Sequence, residues 1–576
     1  MPAPSDADFD SVLSAQPRSS ATEDGGSAVG TARRARPAEI DAQTPSSAAG
    51  IGIAGEEPTS IDRWWGRMLG SPLRQKLWYW GGPIAVTLLG AVLRLWNLGQ
   101  PSALVFDETY YVKDAWTLLH LGYESGWPAE PDPAFNSGQV DGYNENGSFV
   151  VHPPLGKWII ASGLAVFGAQ DGLGWRISTA LVGILAIFVL AMIARTLTRS
   201  TLLATIAGGL FAIDGHAIVM ARTALLDNSV MFLCLLGFWA VLLDRGHSAN
   251  RLAEWMSRRT ATGRSTDWGP ALWWRPWLLA AGLAFGLASA VKWNGLYFLA
   301  FFALYTLVVD ALARRRAGVT FWWSGTLFRQ APASFLLTVP IALVAYLVTW
   351  TGWFVSEGGY YRHYADDEVY QAKGFFSWVP ALVQSFWHYQ QGVYQYHVGE
   401  NSPHGYAANP LGWLLMLRPT AFYYVGQGQG ESGCTAVGGC AQYITSIANP
   451  IIWWAAVAAC GYLLYRLIRR REWQVGLVLM GIAAGYLPWL LYTGRTVFQF
   501  YTIAFEPYLI LGLVIVIGLI LGRPGDPAWR RLSGIRLIAV FVGLCTLVSA
   551  FFYPIWTGMQ VPVPFVQLHY WLPSWR

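Results

Sequence analysis

The stretch "HPPLGKWIIASGLAVFG", His152 to Gly168, decides how this chain is folded. It is apolar, but it is shorter than the roughly 20 residues a membrane span needs, and it opens on His-Pro-Pro. Counted as a span, it would put Arg195 and Arg199 outside and break the alternation of the basic clusters. Left out, the count closes, because cytoplasmic loops carry the excess of Lys and Arg. The segment is therefore read as a helix lying on, or dipping into, the outer interface.

Around it the chain is built for a bilayer. Of its 576 residues 54% are hydrophobic and 13% charged, with a mean hydropathy of +0.35, as expected of a polytopic membrane protein. The 31 Trp and 27 Tyr suit interfacial belts. Eleven spans are expected, at about 78–97, 175–195, 201–220, 225–244, 276–291, 294–313, 331–351, 445–466, 474–492, 499–521 and 536–556. With the N-terminus inside, Arg63 to Lys76, Arg195 and Arg199, Arg245 to Arg275, Arg314 to Arg316, Arg466 to Arg471 and Arg523 to Arg536 all become cytoplasmic. The outer loops are then 98–174 and about 352–444, with a short outer tail at 557–576.

Residues 1–60 hold nine acidic residues and four arginines among Ala, Ser, Gly and Pro, and read as a disordered cytoplasmic tail without a signal peptide. With a net charge of +5 overall, the remainder therefore carries about +10, mostly in loops, a topology signal that gives no reason to invoke nucleic acid. Cys234, Cys460 and Cys545 lie in apolar runs and read as packing residues. Cys434 and Cys440, in "SGCTAVGGC" of the second outer loop, are expected to form a small disulfide loop.

The unusual polar residues collect on the outer side. Asp107 and Glu108 stand side by side in "LVFDETYYVKDAW", before a helix whose Tyr111, Val112, Ala115, Trp116, Leu118 and Leu119 recur at helical spacing. Arg176 opens the second span. His216, Arg222 and Asp227 fall at an outer hairpin, and Lys292 and Arg495 at outer span ends. Charges near hydrocarbon are costly and usually serve function or pair with one another. Carboxylates beside several cations suit a lipid phosphate next to a reacting hydroxyl. Each residue also has a plainer reading. Asp107 could cap its helix, although Tyr110 leaves no capping box. Arg176 could snorkel to the interface, His152 could be a turn residue, and Lys292 and Arg495 could mark span ends. No Walker A pattern, dinucleotide fingerprint or zinc ligand set accompanies them.

Six motifs, "FDETYY", "HPPLGKWI", "GWRISTALVG", "ARTALLDNSVMF", "ASAVKWNGLYF" and "GRTVFQFYTIAFEPYLIL", occur in the order of the protein O-mannosyltransferases. From about 78 to 556 the sequence resembles a bacterial, actinobacterial-type member of that family. Its first half also looks like the lipid A aminoarabinose transferases, which share the GT-C architecture. The resemblance implies an all-α GT-C membrane enzyme at the bacterial cell membrane. It implies transfer of mannose from polyprenyl-phosphate-mannose to Ser or Thr of exported proteins. It places the family's Asp-Glu signature on Asp107 and Glu108, its membrane arginine on Arg176, and its His-Pro-Pro on His152, Pro153 and Pro154. The outer loop at 352–444 is too short for the three MIR repeats of eukaryotic relatives.

On these expectations Asp107 is the base that activates the acceptor hydroxyl, and Arg176 and other cations stabilise the phosphate. Glu108 orients the sugar or a cation. No cofactor is required, although a divalent metal at Asp107 and Glu108 is conceivable. Two other readings stand beside this one: a GT-C enzyme acting on a lipoglycan, and a lipid-linked sugar flippase. The flippase would place its polar residues at mid-membrane depth and carry an internal repeat.

Overall fold

The computed structural model describes residues 59–576; apart from Thr59 and Ser60, the expected tail at 1–60 lies outside the described residues. The longer helices run in order as α1 (Ser60–Met68), α2 (Pro72–Leu95), α3 (Glu108–Leu121), α4 (Leu155–Phe167), α5 (Gly172–Thr198), α6 (Thr201–Ile213), α7 (Gly215–Arg222) and α8 (Asp227–Ala261). They continue as α9 (Pro276–Val291), α10 (Gly295–Arg316), α11 (Ala331–Thr349), α12 (Ala381–Gly399), α13 (Pro450–Arg470), α14 (Trp473–Tyr486), α15 (Glu506–Leu521) and α16 (Ala528–Thr557).

Each expected span has its helix. Among the described residues seven are long and apolar enough to cross a membrane, and α6 with α7, bent by 61° at Asp214, makes an eighth. The other three fall short for visible reasons. Apolar α9 and α15 have only 16 residues each. In α2 the apolar run is diluted by Trp78, Tyr79, Trp80, a Gly-Gly-Pro and Arg94. The chain is a multi-pass membrane protein. The helix expected after Asp107 and Glu108 is α3, and the interfacial segment His152 to Gly168 holds α4.

Short α9 is held by close backbone packing. A Cβ on Gly282 would stand 2.8 Å from the Thr338 Cα of α11, and one on Gly286 only 2.4 Å from the Ala342 Cα. Small residues four apart let two membrane helices touch where side chains would separate them. Charge fixes the same corner: buried Arg275 pairs with Asp244 and with Asp310 at 2.6 Å.

A three-stranded antiparallel sheet adds to the helical plan. β1 (Thr420–Gln427) pairs with β2 (Cys440–Ser446), and β2 with β3 (Gln560–Pro562). The β-strand thus takes the first two residues expected in the 445–466 span, and α13 starts at Pro450. Likewise the first part of the 499–521 span is a 3-10 turn, Gln499–Ala504. Cys434 and Cys440 are joined in a disulfide across the β1–β2 turn. The tail at 557–576 is packed down: β3 joins the sheet and Trp575, 5% exposed, donates to the Met416 carbonyl at 2.7 Å.

Candidate active site

Helix α3 begins two residues after a backbone that few side chains adopt. Phe106 has φ +50°, in the left-handed region, which costs a non-glycine residue roughly 1–2 kcal/mol. Aromatic packing offsets that cost. The Phe106 ring stacks on Phe422 of β1 at 4.9 Å and meets Phe500 and Phe498 edge-on at 5.6 and 5.7 Å. From this turn the next two side chains part company.

Glu108 goes inward and is fully buried. Its Oε1 accepts from Arg176 Nε and from the Ala224 amide, both at 2.8 Å. Its Oε2 accepts from Arg176 Nη2 at 2.8 Å and the Val105 amide at 2.9 Å. Both oxygens are taken by N–H donors. Arg176, also buried, spends its remaining donors on the carbonyls of Leu98 (3.3 Å), Pro101 (2.9 Å) and Ala103 (2.8 Å). All five of its N–H groups are thereby committed, two to Glu108 and three to the loop ahead of α3. Arg222 does the same one step earlier, donating to the carbonyls of Arg94, Trp96 and Asn97 at 2.8, 2.7 and 3.2 Å. Two cations that look like phosphate ligands in the sequence are, in the fold, clasps on residues 94–103.

Asp107 turns the other way, into a cavity of about 620 Å³. It occupies the N-cap position of α3, but its side chain makes no capping hydrogen bond. Burial pushes its carboxyl up to about 6. Lys292 and a hydrogen bond from Tyr111 pull it down, while Asp227 pushes it up. Asp227, at the first turn of α8, is buried and grips Lys292, whose Nζ lies 3.0 and 3.1 Å from its two oxygens. Lys292 also sits 4.1 Å over the Tyr501 ring, a wall of the cavity.

Across the cavity stand His152 and Arg495, together with His397 of α12. His152 stacks on His397 at 5.2 Å, and its buried Nδ1 has no partner among the described residues. Burial, then Lys292 and other cations, hold its imidazole well below the ordinary range, so it is neutral at pH 7. His397, held near 4 first by burial and then by Arg495, is neutral too. Its Nε2 donates to the Val151 carbonyl at 2.8 Å, which leaves Nδ1 to accept from Arg495 Nη2 at 3.1 Å. The buried Nε of Arg495 has no partner among the described residues. This cation faces the cavity with donors to spare. Farther along α3, Asp114 also lines the cavity, its carboxyl raised to about 7 by burial, with Lys157 lowering and Glu124 raising it.

Of the nine residues singled out in the sequence, Asp107, His152 and Arg495 thus line one cavity, and the Asp227–Lys292 pair tunes it from behind. Glu108, Arg176 and Arg222 support it from within the protein. His216 of α7 lies elsewhere, buried against Ser446 at 3.0 Å. His397, Tyr501 and Asp114 escaped the sequence reading. The "YQYHVGEN" run around His397 offered a His and a Glu three apart in an aromatic loop, which is a weak signal. Among the described residues no group of three or more His, Cys, Asp or Glu is placed to hold a metal ion.

An apolar groove of about 710 Å³ runs along the other side of α4, between Leu155, Trp158, α9 and α11. Helix α4 therefore has two working faces. Buried Lys157 looks into the polar cavity, while Leu155 and Trp158 line the groove.

Residues 84–354 match the family model described as dolichyl-phosphate-mannose-protein mannosyltransferase, and 382–575 that of the C-terminal four TMM region of protein-O-mannosyltransferase. A polyprenol-phosphate-mannose–protein mannosyltransferase of Mycolicibacterium smegmatis (strain MKD8) is 36% identical over 509 residues, covering 86% of this chain and 93% of the relative. One of the same description from Mycobacterium tuberculosis (strain ATCC 25618 / H37Rv) is 37% identical over 503 residues, covering 85% and 91%. Among solved structures, the S. cerevisiae protein O-mannosyltransferase Pmt1–Pmt2 complex bound to the sugar donor shares the fold. Its TM-score is 0.64 at 15% identity, over 90% of this chain and 95% of that one.

Proposed function

Because the chain belongs to the protein O-mannosyltransferase family, we propose that it moves mannose from a polyprenyl-phosphate carrier to a Ser or Thr hydroxyl in the Asp107 cavity. The observation that carries this reading is the division between two neighbours. Glu108 is saturated by N–H donors, while Asp107 is left facing open space with a raised pKa.

The chemistry follows from the groups present. A Ser or Thr hydroxyl attacks the anomeric carbon as Asp107 takes its proton. The new C–O bond forms as the bond from the anomeric carbon to the phosphate oxygen breaks. The polyprenyl phosphate leaves with that electron pair as a stable anion, so it needs no acid. One displacement with one base inverts the anomeric centre, unlike the two-carboxylate hydrolases. Arg495, with spare donors across the cavity, receives the phosphate, and neutral His152 and His397 fix its position. Arg176 and Arg222 act as positioning residues. They hold the loop that aims Asp107 and touch neither substrate. The apolar groove beyond α4 takes the polyprenyl chain, one helix width from the sugar phosphate. The acceptors are exported proteins, and the cavity opens at the outer face.

The test uses the purified full chain, radiolabelled mannosyl-phosphoryl-polyprenol and a Ser/Thr-rich peptide. Label in the peptide, with the anomeric configuration inverted relative to the donor, is expected. Label that enters only lipoglycan in whole membranes overturns the acceptor assignment. For sidedness, a single Cys at 107 in a cysteine-free background should react with an impermeant thiol reagent added from outside; labelling from the cytoplasmic side alone overturns the outward orientation.

A further inference from the structure

At 35 residues, α8 is about 50 Å long, so its two ends lie on opposite sides of the bundle. Asp227, at its first turn, backs the catalytic cavity. Its last turns border a second cavity of about 470 Å³, lined by Arg251, Arg258 and Arg259 of α8 and by Arg329. The spacing of the three α8 arginines puts them on one face of the helix, around Trp255. Among the described residues their charge is largely unanswered. Glu254 approaches Arg258 at 3.2 Å and Arg251 at 3.4 Å, both exposed pairs of small worth. Arg259 lies over the Trp255 ring at 5.0 Å, and Arg329 donates to the Gly269 carbonyl at 3.2 Å. Among the described residues, four guanidinium groups thus share one carboxylate around a single hollow.

The opposite wall, residues 269–274, is pre-set from behind by buried polar groups. Arg314 donates to the Pro270 carbonyl at 2.7 Å and to Gln330 Oε1 at 2.9 Å, and the same oxygen accepts from the Leu272 amide at 2.9 Å. The cavity is therefore built without an occupant's help, which lowers the cost of binding one. At its rim Trp273 and Trp274 are 54% and 68% exposed. Two large indoles left open at the end of a membrane bundle mark the headgroup layer, where an apolar ring and a polar edge are both accommodated.

We propose that this cavity binds the phosphate of an anionic membrane phospholipid, a site separate from the catalytic cavity and independent of the transferase reading. Planar guanidinium forks match phosphate oxygens two at a time, and an anion there relieves the mutual repulsion of the four arginines. The tryptophan rim favours a lipid source over free phosphate.

The experiment titrates the purified full chain in detergent with phosphatidylglycerol or phosphatidylcholine, with inorganic phosphate in a parallel series, and counts bound ligand by native mass spectrometry. The wild type is expected to retain one phosphatidylglycerol in preference to phosphatidylcholine. Arg258→Gln with Arg259→Gln should weaken that retention by about tenfold or more, as should Arg329→Gln, which lies on a different element. Arg469→Gln with Arg470→Gln, at the exposed end of α13, should leave it unchanged. Equal retention by all variants overturns the proposal, as does equal retention of the two lipids. Inorganic phosphate binding in place of the lipid overturns the lipid assignment.

Discussion

Asp107 and Glu108 are neighbours in the chain and opposites in the fold. Behind the turn at Phe106, Glu108 and Arg176 form a dry knot in which every polar atom has its partner. In front of it, Asp107 has a hydroxyl from Tyr111, a nearby ion pair and open space. The knot gains rigidity from saturation. On the proposed mechanism the cavity gains reactivity from its lack, because an under-solvated carboxylate holds a proton more readily and so makes a better base near neutral pH. The same residue chemistry serves two ends, and the number of donors decides which.

The sharpest way to break this contrast is Asp107→Asn, which keeps the shape and removes the base. Transfer should fall by roughly 10²–10⁴-fold, the usual loss for a general base, with no drop in the thermal unfolding midpoint. Near-wild-type turnover in a purified preparation would reverse the assignment. Glu108→Gln should show the converse pattern. It leaves buried Arg176 without its counter-charge, and breaking such a pair costs about 3–5 kcal/mol. Thermal unfolding in detergent should register that loss directly. A Glu108→Gln protein that folds like wild type yet fails to transfer would place Glu108 on the substrate instead.

Smaller effects sharpen the picture. Arg495→Ala removes the cavity's cation with spare donors and should raise the donor KM by about tenfold, as expected for one charge-assisted hydrogen bond. Arg176→Lys should leave the donor KM alone and lower stability, since Lys cannot replace five fixed donors. The gentlest probe is pH. With its carboxyl near 6, Asp107 is protonated and inactive as a base below that value, so the rate should climb through pH 6 and level off above 7. The stability sign is the reverse. A carboxyl raised by folding favours the protonated form, so ionising Asp107 costs stability as pH rises through 6, and Asp107→Asn should abolish that component. A rate profile with no inflection near 6 in the wild type would detach Asp107 from the rate-determining proton transfer.

What the sequence disclosed and what it concealed follow the same division. Spans were legible because twenty apolar residues leave a mark independent of their neighbours, and α3 and α4 stood out because their length or flanks broke that rule. Asp107 was legible as a charge at a membrane edge. The positions of Arg176 and Arg222 were not, because their partners are backbone carbonyls at 94–103, and carbonyls are the same whatever the sequence. The sheet was hidden for a related reason. β3 is three residues long, too short for alternation to register. His397 was hidden by distance along the chain, since its contact with Val151 joins segments that share no local pattern.

That sheet also sets an order of manufacture. β1 and β2 are neighbours along the chain and can pair as soon as both have left the ribosome. The edge of β2 at Cys440, Ala441 and Gln442 must wait through four more helices before β3 arrives to cover it. Phe422 of β1 supports Phe106, and Arg495 and Tyr501 enter the cavity from the same late part of the chain. A nascent chain therefore carries Asp107 through most of its synthesis with the far wall of the cavity still missing. Ribosome-arrested chains of increasing length should gain transfer abruptly, once residues 560–562 are free to close the sheet, instead of gradually as each helix is added.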